Sequence, residues 1–180
     1  MRIIGGLHKG KNLKLPKDLP VRPTTDFAKE ALFNILNNRI DFEGLNVLDL
    51  FSGTGHISLE FASRGATAVA AVDQNIKCVR FLSDTSKLLK LNITTIKSDV
   101  FDFLKKSGGT YDLIFADPPY DLPNIAEIHQ IVDSQKMLNE DGLLIIEHGP
   151  KTDLSALAGF EKMRKYGNVH FSFFVRSESL

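Results

Sequence analysis

Val47-Leu48-Asp49-Leu50-Phe51-Ser52-Gly53-Thr54-Gly55 is the stretch on which the fold turns. An apolar run broken by one acid meets a glycine turn, and Ile57, Leu59, Phe61 and Ala62 follow at helical spacing. The pattern reads as a buried strand, a tight turn and a helix. Outward from it the alternation continues. Strand runs at 68–72, 93–96, 111–116 and 143–146 are separated by helical patterns at 75–89, 100–104 and 125–132. Near-continuous apolar strands alternating with helices predict a mostly parallel sheet covered on both faces. The ending differs: residues 160–166, then Gly167-Asn168, then Val169, Phe171, Phe173 and Val175 at period two predict an antiparallel hairpin. The expected fold is a doubly wound, seven-stranded α/β sheet closed by that hairpin. Its ligand should bind beyond the carboxyl ends of the strands, at the switch point beside the first strand.

Residues 1–40 read as a basic extension, a hairpin plus a helix, ahead of a main domain at 41–180. Gly5-Gly6 and Gly10 turn an extended segment, and Pro16, Pro20 and Pro23 punctuate a loop. Thr24 or Thr25 then caps an amphipathic helix running from Phe27 to about Asn38. The 22 cationic and 22 acidic residues balance overall, but the first 40 residues carry eight cations against three acids. A basic end on an acidic body suits a polyanionic partner, although solvated surface lysines explain the count equally well. No apolar run approaches the ~20 residues of a membrane span, and the start lacks a secretory signal pattern. Cys78, the lone cysteine, can form neither an internal disulfide nor a cysteine metal cluster. A reducing cytoplasm is therefore expected. The five histidines show no metal-ligand spacing, so no metal is expected and none is assigned chemistry.

Three acidic positions fall at predicted strand tips. Asp49 stands just before the turn formed by Phe51, Ser52, Gly53 and Gly55, where it would repel a pyrophosphate and welcome an ammonium group. Ser58 occupies the third glycine position of a dinucleotide fingerprint, which also argues against a nicotinamide cofactor. Asp73, followed by Gln74, lies 24 residues after Asp49 and suits the two hydroxyls of a ribose. Asp99-Val100 after the third strand suits an adenine amino group, or makes a simple helix cap, or both.

Asp117-Pro118-Pro119-Tyr120 ends the fourth strand. The amino nitrogen of a nucleobase is a poor nucleophile because its lone pair is delocalised into the ring. A carboxylate at Asp117 and the carbonyl of Pro118 can accept its two N–H bonds and draw the nitrogen toward tetrahedral geometry. Proline fixes φ and stiffens the loop that holds those acceptors. Tyr120 offers a stacking face for an unpaired or flipped base. The tetrapeptide thus predicts methylation of a base amino group, with alignment of nucleophile and methyl donor supplying most of the acceleration.

Together these blocks resemble the amino-methyltransferase branch of the Rossmann-like, class I methyltransferases. Arg2-Ile3-Ile4-Gly5-Gly6, Gly10-Lys11-Asn12-Leu13, Arg22-Pro23-Thr24-Thr25-Asp26 and Glu30-Ala31-Leu32-Phe33-Asn34 narrow the resemblance to the bacterial RsmD family. Those enzymes are 16S rRNA guanine-N2 methyltransferases that use S-adenosylmethionine. The resemblance implies that Asp49, Phe51, Ser52, Gly53 and Gly55 line the methionine part, with Arg22 and Thr24 nearby. It implies that Asp73 and Gln74 hold the ribose, Asp99 and Val100 the adenine, and residues 117–120 the guanine. It further implies that Arg2, Lys9, Lys11 and Lys14 contact 16S rRNA or a small-subunit assembly particle, with the protein acting as a monomer. The chain departs from the family's pattern at Phe27 and Lys29, where arginines are usual, and at Asp73, where Glu is common. The runner-up is amino methylation of another base, such as adenine N6 in DNA or RNA, since the tetrapeptide serves both. A non-catalytic nucleic-acid-binding module and a dehydrogenase are the remaining readings.

Overall fold

The computed structural model describes residues 1–19 and 25–177. Five parallel strands, β1 (Asn46–Leu50), β2 (Ala68–Asp73), β3 (Ile93–Lys97), β4 (Tyr111–Ala116) and β5 (Leu138–His148), join the hairpin β6 (Phe160–Tyr166) and β7 (Val169–Val175). The order across the sheet is β3-β2-β1-β4-β5-β7-β6, with β7 antiparallel to both neighbours. Strand order reverses between β1 and β4, which opens a crevice at their carboxyl ends.

Side-chain alternation assigns the two faces. Val47, Leu113, Phe115, Leu143, Ile145, Phe171 and Phe173 bury themselves under α1 (Asp26–Asn37) and α2 (His56–Ser63). Leu48, Leu50, Ile114, Ala116, Leu144 and Ile146 face α4 (Val100–Lys106) and α5 (Ile125–Ser134). The remaining helix, α3 (Ile76–Leu88), packs Leu82 against Ala71 and Leu59 on the first face. Strand β5 is longer than its apolar run because it starts at Leu138, paired with Tyr111, and continues through polar Asn139, Glu140 and Asp141 across a register shift between Tyr111 and Leu113.

Thr25 is the α1 cap, its hydroxyl accepting from the Ala28 amide. Ala28, Leu32, Phe33 and Leu36 on this helix are fully buried, and each large apolar side chain contributes about 1.5–3 kcal/mol by leaving water. Through these residues α1 packs in one cluster with Val47, Leu113, Phe115 and Ile145 of the sheet.

Residues 1–13 form a hairpin-like arm held by a bridge from Arg2 to Asn12, by backbone bonds such as Gly10 to the Ile3 carbonyl at 2.8 Å, and by a 3-10 turn at Gly6–His8. Glu60, wholly buried on α2, ties this arm down. It accepts from the Ile4 amide at 3.0 Å, from Arg64 at 2.9 Å, and pairs with buried Lys29 at 3.7 Å. Lys29 in turn donates to the Arg2 carbonyl. Losing Glu60 would leave the buried Lys29 ammonium uncompensated, typically costing about 3–5 kcal/mol.

Candidate active site

The glycine turn after β1 sits where the strand order reverses. Phe51 holds a left-handed φ of 59°, a conformation that costs a residue with a side chain about 1–3 kcal/mol. Gly53, at φ +53°, would present an added Cβ to open space, so its backbone faces the crevice directly. Gly55 is different: at φ +80° its missing Cβ makes room for Leu82, whose Cδ1 would lie 2.3 Å away. One glycine of the turn opens toward the crevice, and the other serves helix packing.

A cleft of about 840 Å³ occupies the crevice. Its walls include Phe51, Ser52, Gly53, Asp73, Gln74, Asp99, Val100 and the whole of Asp117-Pro118-Pro119-Tyr120. Asp49 and Gly55 lie outside the lining. Asp49 is 1% exposed, under α2, where it accepts a hydrogen bond from Ser58. The residue that breaks the dinucleotide fingerprint therefore holds the buried acid. Burial is the main cause pushing the Asp49 carboxyl up to about 7; Ser58 opposes the shift and the Asp73 charge adds to it. Arg22 and Thr24 lie outside the described residues.

Asp73 is oriented by two backbone amides, Gly53 to Oδ2 and Asn75 to Oδ1, each at 2.8 Å. Asp99 caps α4 through the Asp102 amide at 3.0 Å while lining the cleft, so the cap and the pocket position coexist. Phe101 also lines it and meets Phe51 edge-on at 6.5 Å between ring centres, giving the cleft an apolar wall.

Residues 117–120 leave β4 with the Asp117 amide bonded to the Leu50 carbonyl at 3.3 Å, which fixes the tetrapeptide to the strand before the glycine turn. Tyr120 is held twice. Its hydroxyl donates to Oε1 of buried Glu147 at 2.7 Å, and its ring lies so close to Gly149 that a Cβ there would sit 2.8 Å from Cδ2. Asp117, Tyr120 and Glu147 have further partners besides these.

Sequence reasoning missed several lining residues. His56 opens α2 and lines the cleft, and its buried Nε2 has no hydrogen-bond partner among the described residues. Burial, with the Lys29 charge adding, pushes its imidazole down to about 4, so it is neutral at ordinary pH; Asp26 opposes this. Its place directly after the glycine turn was the available signal. Cys78 also lines the cleft, with burial pushing its thiol up, so it is a poor nucleophile there. Phe101 follows the Asp99-Val100 pair directly. Glu147, at the end of β5, carries no local pattern that would link it to Tyr120.

The basic positions are dispersed. Arg2 pairs with Glu30 at 3.5 Å, Lys29 is internal, and Arg39 bonds Glu161, so part of the predicted cationic surplus is already matched. Lys9, Lys11 and Lys14 are carried on or beside the arm. The arm's turn is anchored to Ser63, at the end of α2 away from the cleft, by Ser63 to Gly5 at 2.7 Å and His8 to Ser63 at 2.9 Å. Eight helical residues, about 12 Å, separate that anchor from the glycine turn. A second cleft of about 570 Å³ runs between arm and α1, lined by Arg2, Lys9, Glu30, Asn34, Asn37 and Arg64 among others. Among the described residues no cluster of His, Cys, Asp or Glu could hold a metal ion, and no helix is long and apolar enough to cross a membrane.

A reversed strand order, a glycine turn open to the crevice, acids at the β2 and β3 tips and Asp-Pro-Pro-Tyr at the β4 tip define a Rossmann-like class I methyltransferase. The family described as Conserved hypothetical protein 95 matches residues 1–175, and the chain belongs to it; this is the RsmD family. The chain is 33% identical to a putative rRNA methyltransferase, YlbH, of Bacillus subtilis, over 88% of each chain. It is 30% identical to the ribosomal RNA small subunit methyltransferase D of Escherichia coli K12, covering 82% of this chain and 74% of that one. The solved structure of a putative methyltransferase, yhhF, from Escherichia coli superimposes with a TM-score of 0.85 at 28% identity, covering 99% of both chains.

Proposed function

We propose that this protein transfers a methyl group from S-adenosylmethionine to the exocyclic N2 of a guanine in 16S rRNA of the small ribosomal subunit. The carrying observation is that residues 117–120 share one cleft with Gly53, Asp73 and Asp99. The names of the relatives above support rRNA as the substrate. The family resemblance supports guanine N2.

The cleft fits the methyl donor on its own terms. Its volume lies within the range of small-molecule sites. The open backbone at Gly53 suits the methionine moiety, and neutral His56 has an unsatisfied nitrogen that suits its carboxylate. Asp73 suits the ribose hydroxyls; Asp99 and the Phe51–Phe101 wall suit adenine. When bound, S-adenosylmethionine supplies an electrophilic methyl on sulfur and leaves as S-adenosylhomocysteine.

The protein's own work is alignment. Asp117 and the Pro118 carbonyl accept the two N–H bonds of the target amine, so its lone pair points along the line of attack. Tyr120 fixes the base plane, and Glu147 with Gly149 fixes Tyr120. The proton released by the amine leaves through Asp117 or solvent. Pro118 is buried, and its fixed φ holds its carbonyl in place.

Arg2, Lys9, Lys11 and Lys14 contact the rRNA backbone in this reading, either on 16S rRNA or on an assembly particle, and the protein works as a cytoplasmic monomer. Nucleoside mass spectrometry of 16S rRNA from cells lacking the protein tests it. Loss of one N2-methylguanosine is expected. Loss of N6-methyladenosine instead would favour the adenine reading, and an unchanged profile would refute both.

A further inference from the structure

We propose that Phe27, Tyr166 and Arg164 form a second RNA contact, a platform on which a nucleotide flanking the target stacks as it leaves the cleft. The proposal rests on the RNA reading above and concerns a surface outside both clefts.

Phe27 is 66% exposed, unusual for a phenylalanine, and its ring meets Tyr166 edge-on at 6.0 Å. The pair stands at the site-facing end of the sheet. Tyr166 ends β6 opposite Val169, and the next pairs along the ladder join Lys165 to His170 and His170 to His148 at the end of β5. Gly149, the following residue, carries the Tyr120 ring.

The strand carrying Tyr166 is the sheet edge. Arg164 is exposed there and stands two residues before Tyr166, hence on the same face, about 6.6 Å along the strand. That spacing approximates one nucleotide of an extended chain. Lys165 is exposed beside it and acts on the Asp153 carboxyl, while the one acid on β6, Glu161, is occupied by Arg39, just beyond the opposite end of α1. An exposed aromatic with exposed cations on the neighbouring strand is an arrangement that suits single-stranded nucleic acid, stacking for the base and charge for the phosphate. Basic residues also guard sheet edges against strand pairing, but that purpose gives no reason for an exposed phenylalanine.

The test measures methyl transfer to small subunits isolated from cells lacking the protein, for wild type, Phe27→Ala, Phe27→Tyr and Arg164→Glu. Phe27→Ala should raise KM for the subunit by roughly five- to 150-fold, the range for one lost base stack. Phe27→Tyr should restore it, Arg164→Glu should raise KM and flatten its salt dependence, and S-adenosylmethionine affinity should stay at the wild-type value in all. If wild type transfers methyl and neither Phe27→Ala nor Arg164→Glu changes KM, the platform is wrong and the RNA reading stands. If wild type transfers methyl neither to the subunit nor to naked 16S rRNA from the same cells, the RNA reading itself falls and takes the platform with it.

Discussion

Gly149→Ala should impair methyl transfer although residue 149 bears no chemistry. Its backbone is outside the left-handed region, so alanine introduces no strain of its own. The added Cβ, however, would stand 2.8 Å from Tyr120 Cδ2 and 3.3 Å from Cγ. Restoring a tolerable 3.4 Å contact displaces the ring by about 0.6 Å. Glu147 resists that motion, since the 2.7 Å bond to the Tyr120 hydroxyl stretches toward 3.3 Å if the ring moves directly away and passes out of good hydrogen-bond range. A misplacement of 1 Å costs roughly 10²-fold in rate; about 0.6 Å should cost on the order of ten- to a hundredfold in kcat/KM. Steady-state methyl transfer to rRNA reads the effect, and calorimetric titration with S-adenosylmethionine should show unchanged affinity. A double-mutant cycle isolates the route: in a Tyr120→Ala background the alanine at 149 should be silent. Equal losses in both backgrounds would refute the claim that Gly149 acts through Tyr120.

Gly55→Ala should destabilise the fold by about 2–5 kcal/mol, combining left-handed backbone strain and overpacking against Leu82, and denaturant unfolding measures it. His56 and Asp49 should give opposite pH slopes. The imidazole is held near 4, so its contribution is full above about 6.5 and lost as pH falls toward 4; the carboxyl is held near 7, so its contribution is full below about 4 and lost as pH rises through 7. In His56→Gln, stability should therefore decline more steeply with rising pH between about 4 and 7, and in Asp49→Asn it should rise, as followed by unfolding across that range; parallel curves would contradict both assignments. Lys9→Ala with Lys11→Ala should weaken rRNA binding and lower its salt slope, each lost phosphate contact releasing one fewer counterion; an unaltered slope in filter binding would remove the arm from the RNA interface.

The sheet was legible because its signals are local. Apolar runs, helical spacing and the Gly167-Asn168 turn each lie within a few residues. What the sequence could not separate were roles decided across the chain. Gly53 and Gly55 look alike in the motif and both adopt positive φ, yet one faces the cleft and the other faces Leu82 from α3. Lys29 counts as surface charge until Glu60 is found beside it, 31 positions away. Asp49 had the right chemistry for an ammonium group, but its side chain alternates onto the α2 face, beneath the turn rather than within it. The tetrapeptide was readable because its residues are contiguous, whereas Glu147, which orients Tyr120, joins it only through strand pairing.

In the proposed mechanism, Asp117 and the Pro118 carbonyl make a base amine nucleophilic beside the methyl donor. Asp117→Ala tests it most directly, with transfer of labelled methyl to 16S rRNA and cofactor affinity measured on the same preparation. Turnover should fall by roughly 10²–10³-fold or more, the scale for removing one preorganised polar group, while S-adenosylmethionine still binds. Wild-type turnover in that variant would contradict the account.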